Sequence, residues 1–289
     1  MTSIIFGASG QDGYYLKKLL LENGCKVIGI GRKEDYIHAD ITDYLSVSNL
    51  IKGNQPDFIF HLAANSTTRH DALFENHATI SIGSLNILEA VKNFSFHTKV
   101  FISGSGLQFK NENNPIKETD PFEARDAYSV SRIQSVYAAR YFRTLGIKSY
   151  VGYFYNHDSS RRTEKHISKK IAEAVKRIAQ GSNEKIEIGD MTVVKEWTFA
   201  GDIVKGLWLF VSQDEVHEVN ISSGVGHSIK DWLKECFGII NKDYRDYIVE
   251  NKNFVSEYKQ LVSDPSLIRS LGFKPSVSFT QLAKMMILE

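Results

Sequence analysis

The chain has 289 residues, 42% of them hydrophobic, with 20 glycines, 5 prolines and 35 basic against 34 acidic side chains. Roughly 100–200 residues make a domain, so the length holds one large or two modest globular domains without staples. A net charge of +1 with no block of like charge excludes a strongly basic domain, and with it a nucleic-acid or acidic-membrane partner.

The two cysteines, Cys25 and Cys236, are far apart, with no C-x-x-C and no Cys/His cluster. That pattern suits a reducing compartment and predicts no metal site. The first residues, MTSIIFGASG, run straight into a strand, with no signal-peptide pattern, and no apolar run reaches the roughly 18 residues of a membrane span. A soluble cytoplasmic protein is expected.

In chain order, Ser3–Phe6 reads as a strand, Gly13–Glu22 as a helix and Lys26–Ile30 as a second strand. Phe58–Leu62 follows as a strand, then a helix near Ser81–Lys92, a strand at Lys99–Ser103, a long helix from Tyr128 to Leu145 and a strand at Ile147–Tyr155. Short apolar runs alternating with helical periodicity predict an α/β fold, a doubly wound parallel sheet covered by helices on both faces. After Tyr155 the pattern changes to a polar stretch, NHDSSRRTEKH, and a basic helix, SKKIAEAVKRIAQG. Residues 1–155 are therefore read as a dinucleotide-binding Rossmann domain and 156–289 as a smaller α/β substrate-binding domain, with a helix at about 197–212 returning to the first.

Gly7, Gly10 and Gly13 give a G-x-x-G-x-x-G spacing between the first strand and first helix. Such glycines allow a tight turn and let a pyrophosphate approach the positive end of the helix. Gln11 and Asp12 sit inside this turn as further cofactor contacts. The second strand ends at Arg32 and Lys33, whose charge suits a ribose 2′-phosphate and favours NADP(H); Glu34 and Asp35 follow at once and leave NAD(H) open. Asp40 and Ile41 are expected beside the adenine, and Leu62, Ala63 and Ala64 are small or apolar enough to pass the nicotinamide half.

Tyr128 and Arg132 share one helix face through i, i+4 spacing. Ser103 and Ser105 end a strand about 25 residues earlier, where α/β sheets present residues to ligands. With the glycine turn, this arrangement resembles the extended short-chain dehydrogenase/reductase superfamily, whose signature is Tyr-x-x-x-Lys with an upstream Ser or Thr. GQDG, YNHDSSRR, KEWTFAGDIV, SSGVGHSI and DPSLIRSLGFKPSVSF narrow the resemblance to its GDP-mannose 4,6-dehydratase branch, along nearly the whole chain.

The resemblance implies a nucleotide-sugar substrate, a nicotinamide cofactor and a homodimer built on the tyrosine-bearing helix; Val130, Ile133, Val136 and Tyr137 are compatible with such a face and equally with packing on the parent sheet. It assigns catalysis to Tyr128 with Ser105 steadying the sugar oxygen, Ser103 being the alternative if the loop is read one step differently. It assigns substrate contacts to Ser103, Asn156, Arg161, Arg162, Lys170 and Lys195, with Lys169 beside them. Arg161 and Arg162 are alternatively cofactor or oligomer contacts.

Three positions depart from the branch. Where a dehydratase carries Ser/Thr-x-Glu, this chain reads Ser105-Gly106-Leu107, and leucine cannot act as acid or base. Arg132 replaces the usual Lys, keeping the charge but unable to relay a proton. Phe254-Val255 stands where the branch has an Arg-Pro segment reaching the diphosphate.

The expected activity is therefore an NADP(H)-dependent oxidoreductase at C4 of a nucleotide-activated hexose or heptose, a 4-keto reductase of surface-polysaccharide sugar biosynthesis with a GDP-sugar favoured. The alternatives are a nucleotide-sugar 4,6-dehydratase, a 4-epimerase or dehydrogenase with tightly held cofactor, and, from another class, a non-catalytic dinucleotide- or nucleotide-sugar-binding protein.

Overall fold

A computed structural model describes residues 1–65, 67–251 and 253–289. Its centre is a parallel sheet made from the β-branched and aromatic runs of the first half: β1 (Thr2–Phe6), β2 (Lys26–Ile30), β3 (Phe58–His61), β4 (Lys99–Ser105) and β5 (Ser149–Phe154). The strand order is β10-β5-β4-β3-β1-β2, all parallel, where β10 is a late strand at Glu218–Ile221. The order reverses between β1 and β3, so a crevice opens beyond their C-terminal ends.

One sheet face is covered by α2 (Tyr44–Asn54), α4 (Gly83–Phe94) and α5 (Ala127–Thr144), whose Val47, Ile51, Ile87, Leu88 and Ala139 pack on strand residues such as Ile59 and Val100. The other is covered by α1 (Gln11–Glu22) and α7 (Ala200–Val211) through Leu16, Leu20, Leu207 and Phe210. α4 is preceded by a short α3 (Leu73–Asn76) and a π-helical stretch, His77–Ile82, so helical structure begins well before the expected Ser81. A π-helical turn is an uncommon device, found mostly near functional sites.

The remaining elements are β6 (His157–Asp158), α6 (Ile167–Ala179), β7 (Ile186–Ile188), β8 (Val194–Glu196), β9 (Thr198–Phe199), β11 (Gly226–Ser228), α8 (Ile229–Ile239), β12 (Ile248–Glu250), β13 (Gln260–Leu261), α9 (Ser266–Ser270) and α10 (Phe279–Leu288). α6, α8 and α10 close a second core around Ile171, Val175, Leu233 and Met286, with Trp197 and Trp232 stacked 4.7 Å apart. The chain thus leaves the large sheet after β5 for α6 and the small strands, returns with α7 and β10, and then completes the smaller unit with α8 and α10.

On α5, Val136 is fully buried against the sheet, so it belongs to the core and not to an outward face. Val130 and Ile133 are half-buried, while Tyr137 and Tyr141 are exposed. Among the described residues no helix is long and apolar enough to cross a membrane.

Candidate active site

The glycine turn forms one wall. Gly7 has φ +89°, and a Cβ there would lie 2.7 Å from the Ala63 nitrogen; one on Gly13 would lie 2.4 Å from the Gly7 carbonyl oxygen. The fold itself requires both glycines. Gly10 differs, since its Cβ would meet only the Gly7 oxygen, at 3.3 Å. It is the N-cap of α1 and offers no capping side chain, so the first amides of α1 keep no side-chain partner and a Cβ on Gly10 would project into open space at the start of the helix. That cradle fits a pyrophosphate.

Gly7, Gly10, Arg32, Asp40, Ile41 and Ala63 line a cleft of about 610 Å³ beside this turn. Leu62 and Ala64 line both this cleft and a second cavity, so the two form one groove across the sheet edge. Of the remaining turn residues, Asp12 lines the second cavity. The side-chain oxygen of Gln11 accepts a hydrogen bond from Ser159 (2.8 Å). Lys33 is exposed and outside the cleft.

Ser103, Ser105, Tyr128 and Arg132 meet in the second cavity. Asp126 caps α5, its carboxylate accepting from the Tyr128 and Ser129 amides at 2.8 Å, and thereby fixes where Tyr128 leaves the helix. Arg132 is almost wholly buried. It donates to both the carbonyl oxygen and the hydroxyl of Ser103, and its guanidinium lies 4.9 Å from the Tyr128 ring centroid.

The Ser103 hydroxyl donates to the His61 carbonyl (2.9 Å), so its proton is committed. Ser105 is the opposite case: its oxygen accepts from the Leu107 amide (3.2 Å), which leaves its own proton to give. Burial and the nearby Arg132 charge push His61 down to about 3, so that ring is neutral.

No residue from Ser103 to Gln108 is a carboxylate. Leu107 lines the cavity, and the position before it is closed as well: a Cβ on Gly106 would lie 2.6–2.9 Å from three ring atoms of Tyr155. Tyr153 covers Gly104 in the same way, at 2.5 Å. Among the described residues the single carboxylate lining this cavity is Asp12, and it is engaged elsewhere.

Asp12 Oδ1 lies 2.8 Å from His157 Nε2, while His157 Nδ1 lies 2.7 Å from the Tyr155 carbonyl. Both partners are acceptors, so both ring nitrogens carry hydrogen and the ring is cationic. Burial opposes each charge, but their mutual attraction outweighs it, raising His157 and lowering Asp12. With the Ser159–Gln11 bond, this pair latches the 156–162 segment onto the start of α1.

Within that segment Asn156 and Arg162 line the cavity. Arg162 donates to His166 (3.2 Å) and lies 3.6 Å from Asp158. Burial and then the Arg162 charge push His166 down to about 4. Arg161 does not reach the cavity; it is exposed, with its guanidinium 3.7 Å from the Tyr14 ring centroid. Lys169 is buried and paired with Glu173 (2.6 Å). Lys170 and Lys195 line a separate cavity of about 440 Å³ with Phe254.

Sequence reasoning missed Thr68, Phe154, Tyr155, His157, Tyr258 and Leu261 in the central cavity. Tyr155 and His157 both lie inside a motif already singled out, YNHDSSRR; the others arrive through strand register and distant loops.

The family described as GDP-mannose 4,6 dehydratase matches residues 4–286. GDP-mannose 4,6 dehydratase 2 of Arabidopsis thaliana is 30% identical over 318 residues, covering 99% of this chain and 85% of the relative. The GDP-mannose 4,6-dehydratase of Vibrio cholerae serotype O1 is 30% identical over 262 residues, covering 80% and 69%. Among solved structures, RMD from Pseudomonas aeruginosa complexed with NADPH superposes with a TM-score of 0.87 at 20% identity, covering 99% of this chain and 97% of that one. The UDP-glucose 4-epimerase of Thermus thermophilus, complexed with NAD, gives 0.84 at 18% identity, covering 99% and 98%. At such identities the structural likeness establishes the fold.

Proposed function

Because the chain belongs to the GDP-mannose 4,6-dehydratase family, we propose that it is a nucleotide-sugar oxidoreductase using NADP(H), and that it reduces a 4-keto sugar without eliminating water. The observation that carries this reading is the turn after β4. It has no carboxylate from Ser103 to Gln108, and the Tyr155 ring fills the space over Gly106. Elimination needs a group to take and return a proton, and Asp12 is held in its pair with His157.

The groove from the Gly10 cradle past Leu62 and Ala64 to Tyr128 fits a dinucleotide, with Arg32 at the end suited to a 2′-phosphate. When bound, the nicotinamide supplies the hydride. Tyr128 delivers the proton to the sugar oxygen, and Ser105, whose proton is uncommitted, donates a hydrogen bond to the same oxygen. Arg132 holds a fixed positive charge beneath the Tyr128 ring and anchors the end of β4 through Ser103. Asn156 and Arg162 are suited to the substrate's polar and phosphate groups.

The dehydratase names of the relatives favour a second reading, in which water is lost from the parent sugar. One experiment separates the two: the protein is incubated with NADPH and a GDP-linked 4-keto-6-deoxy sugar, and separately with GDP-mannose, and the products are weighed by mass spectrometry. NADPH oxidation with a 4-hydroxy product supports the reductase; loss of water from GDP-mannose with no NADPH consumption overturns it. We also propose a homodimer through α5, for which the exposed Tyr137 and Tyr141 supply an apolar stripe.

A further inference from the structure

Gly189 follows the end of β7, and the chain leaving β12 lays Phe254 against it. A Cβ on Gly189 would lie 2.3 Å from Cδ1 and 2.5 Å from Cγ of Phe254, so the ring occupies the place of a side chain at 189. The loop is tied down there. The Asn251 amide donates to the Ile188 carbonyl (2.8 Å), the Phe254 amide to the Asn251 carbonyl (3.1 Å), and the Asn251 side chain to Glu187 Oε1 (2.7 Å). Despite this close seating, Phe254 remains 54% exposed. It lines the 440 Å³ cavity with Lys170, Glu187, Asp190 and Lys195.

Lys195 joins this cavity to the catalytic one. Its ammonium lies 6.0 Å from the ring centroid of Tyr258, which lines the cavity holding Tyr128. Among the described residues it has no carboxylate within 4.0 Å and no hydrogen-bond partner. Burial lowers its pKa, although Asp158 acts to raise it. A half-buried ammonium that lines a cavity without a carboxylate beside it is suited to an anion there. The order is then a reacting centre at Tyr128, a cation at Lys195, and an aromatic surface with carboxylates at Phe254. A nucleoside diphosphate sugar presents the matching order of sugar, diphosphate and base.

We propose that Phe254, seated on the bare backbone of Gly189, is the stacking platform for the base of the nucleotide sugar, and that Glu187 and Asp190 select guanine. The inference rests on the nucleotide-sugar reading above and adds the residues that read the base. Stacking on an aromatic face accepts any base. The carboxylates then discriminate: they are acceptors only and suit the adjacent N1–H and N2–H₂ donors of guanine, whereas uracil turns carbonyl oxygens toward them on both sides of its single N–H. Phe254 thereby takes up binding at the place where an arginine was expected, and the diphosphate falls to Lys195 and Arg162.

The test is calorimetric titration of GDP, UDP and NADPH into the full chain and into Phe254→Ala and Phe254→Trp. Removing the ring should weaken GDP about tenfold or more and leave NADPH affinity unchanged, while Phe254→Trp retains GDP binding. Glu187→Gln should narrow the preference for GDP over UDP. GDP binding that Phe254→Ala leaves within about threefold overturns the platform alone. A wild-type chain that binds NADPH but neither GDP nor UDP overturns the nucleotide-sugar reading, and the platform with it.

Discussion

Gly10 and Gly13 lie three residues apart in one turn, yet the structure requires them for different reasons, and alanine at each separates the two. At Gly13 a Cβ would stand 2.4 Å from the Gly7 oxygen and 2.6 Å from the Ala8 Cα, against 3.4 Å or more in ordinary contact. The start of α1 would have to move about 1 Å off the turn, an overpacking cost of about 1–3 kcal/mol, or several degrees of Tm at about 2–4 °C per kcal/mol. Gly10 sits at φ −76°, ψ 175°, which alanine adopts freely. The poorer N-cap and the lower unfolded-state entropy nearly cancel, so stability should change by less than about 1 kcal/mol.

The methyl of Gly10→Ala would project into the cleft beside the start of α1, where a pyrophosphate on the helix amides would lie. Losing one or more charge-assisted bonds of about 1.5–3 kcal/mol each should weaken NADPH about 10- to 100-fold. Thermal melts and calorimetric titration of both variants check this. A folded Gly10→Ala that binds NADPH as wild type does would refute the cradle, and an undiminished Tm for Gly13→Ala would refute the packing argument.

Arg132→Lys, which restores the superfamily's usual Tyr-x-x-x-Lys, should lower kcat/KM about 10- to 100-fold, because an ammonium placed to reach the Ser103 oxygens that Nη1 now holds lacks the planar guanidinium that lies against the Tyr128 ring; a faster variant would show that the Tyr128 ring needs no such support. His157→Gln should lose the latch, at about 1.5–3 kcal/mol where both partners are charged. The raised His157 gives stability that is full below its ordinary 6.5 and lost as pH climbs through the folded value. The lowered Asp12 gives stability present above 3.8 and lost as pH falls through its folded value. The gap between wild type and variant in urea should therefore be widest between about pH 4 and 6.5 and narrow as pH climbs above that window; a gap that stays constant as pH rises would mean that the pair is not ionised.

The sheet was legible because each strand is a short β-branched or aromatic run between helical segments, and Tyr128, Arg132 and Ser105 converge because a helix turn and a strand end are local geometry. Contacts between distant segments were not. Asp12 and His157 are 145 residues apart, and β10, four residues long and flanked by polar ones, shows no periodicity.

Two carboxylates of one motif carrying the family resemblance, KEWTFAGDIV, prove structural. Glu196 of KEW accepts from the Ser223, Gly224 and Ser263 amides, stitching β8 to the SSG and DPS segments. Asp202 accepts from the Ser276 and Val277 amides of the closing stretch. Buried carboxylates with several amide donors keep a fold in register, which is why such motifs mark the family without marking its chemistry.

The departures also fit one another, and that bears on whether the chain is an enzyme or a binding protein that has lost its chemistry. Ser105 pairs with Phe154 across β4 and β5, so Tyr155, one step on, lands over Gly106. The turn that carries Leu107 in place of the glutamate is filled and not gapped: Gly104 and Gly106, on either side of Ser105, are each covered by a ring from β5 or the residue just after it. Arg132 likewise finds two oxygens and an aromatic face where a longer, bulkier side chain could have clashed. Random loss has no reason to pack both sides of Ser105 and seat Arg132 beside it. A turn rebuilt around Tyr153 and Tyr155, with Ser105 and Tyr128 still facing the groove, is what selection for a different step on the same sugar would leave.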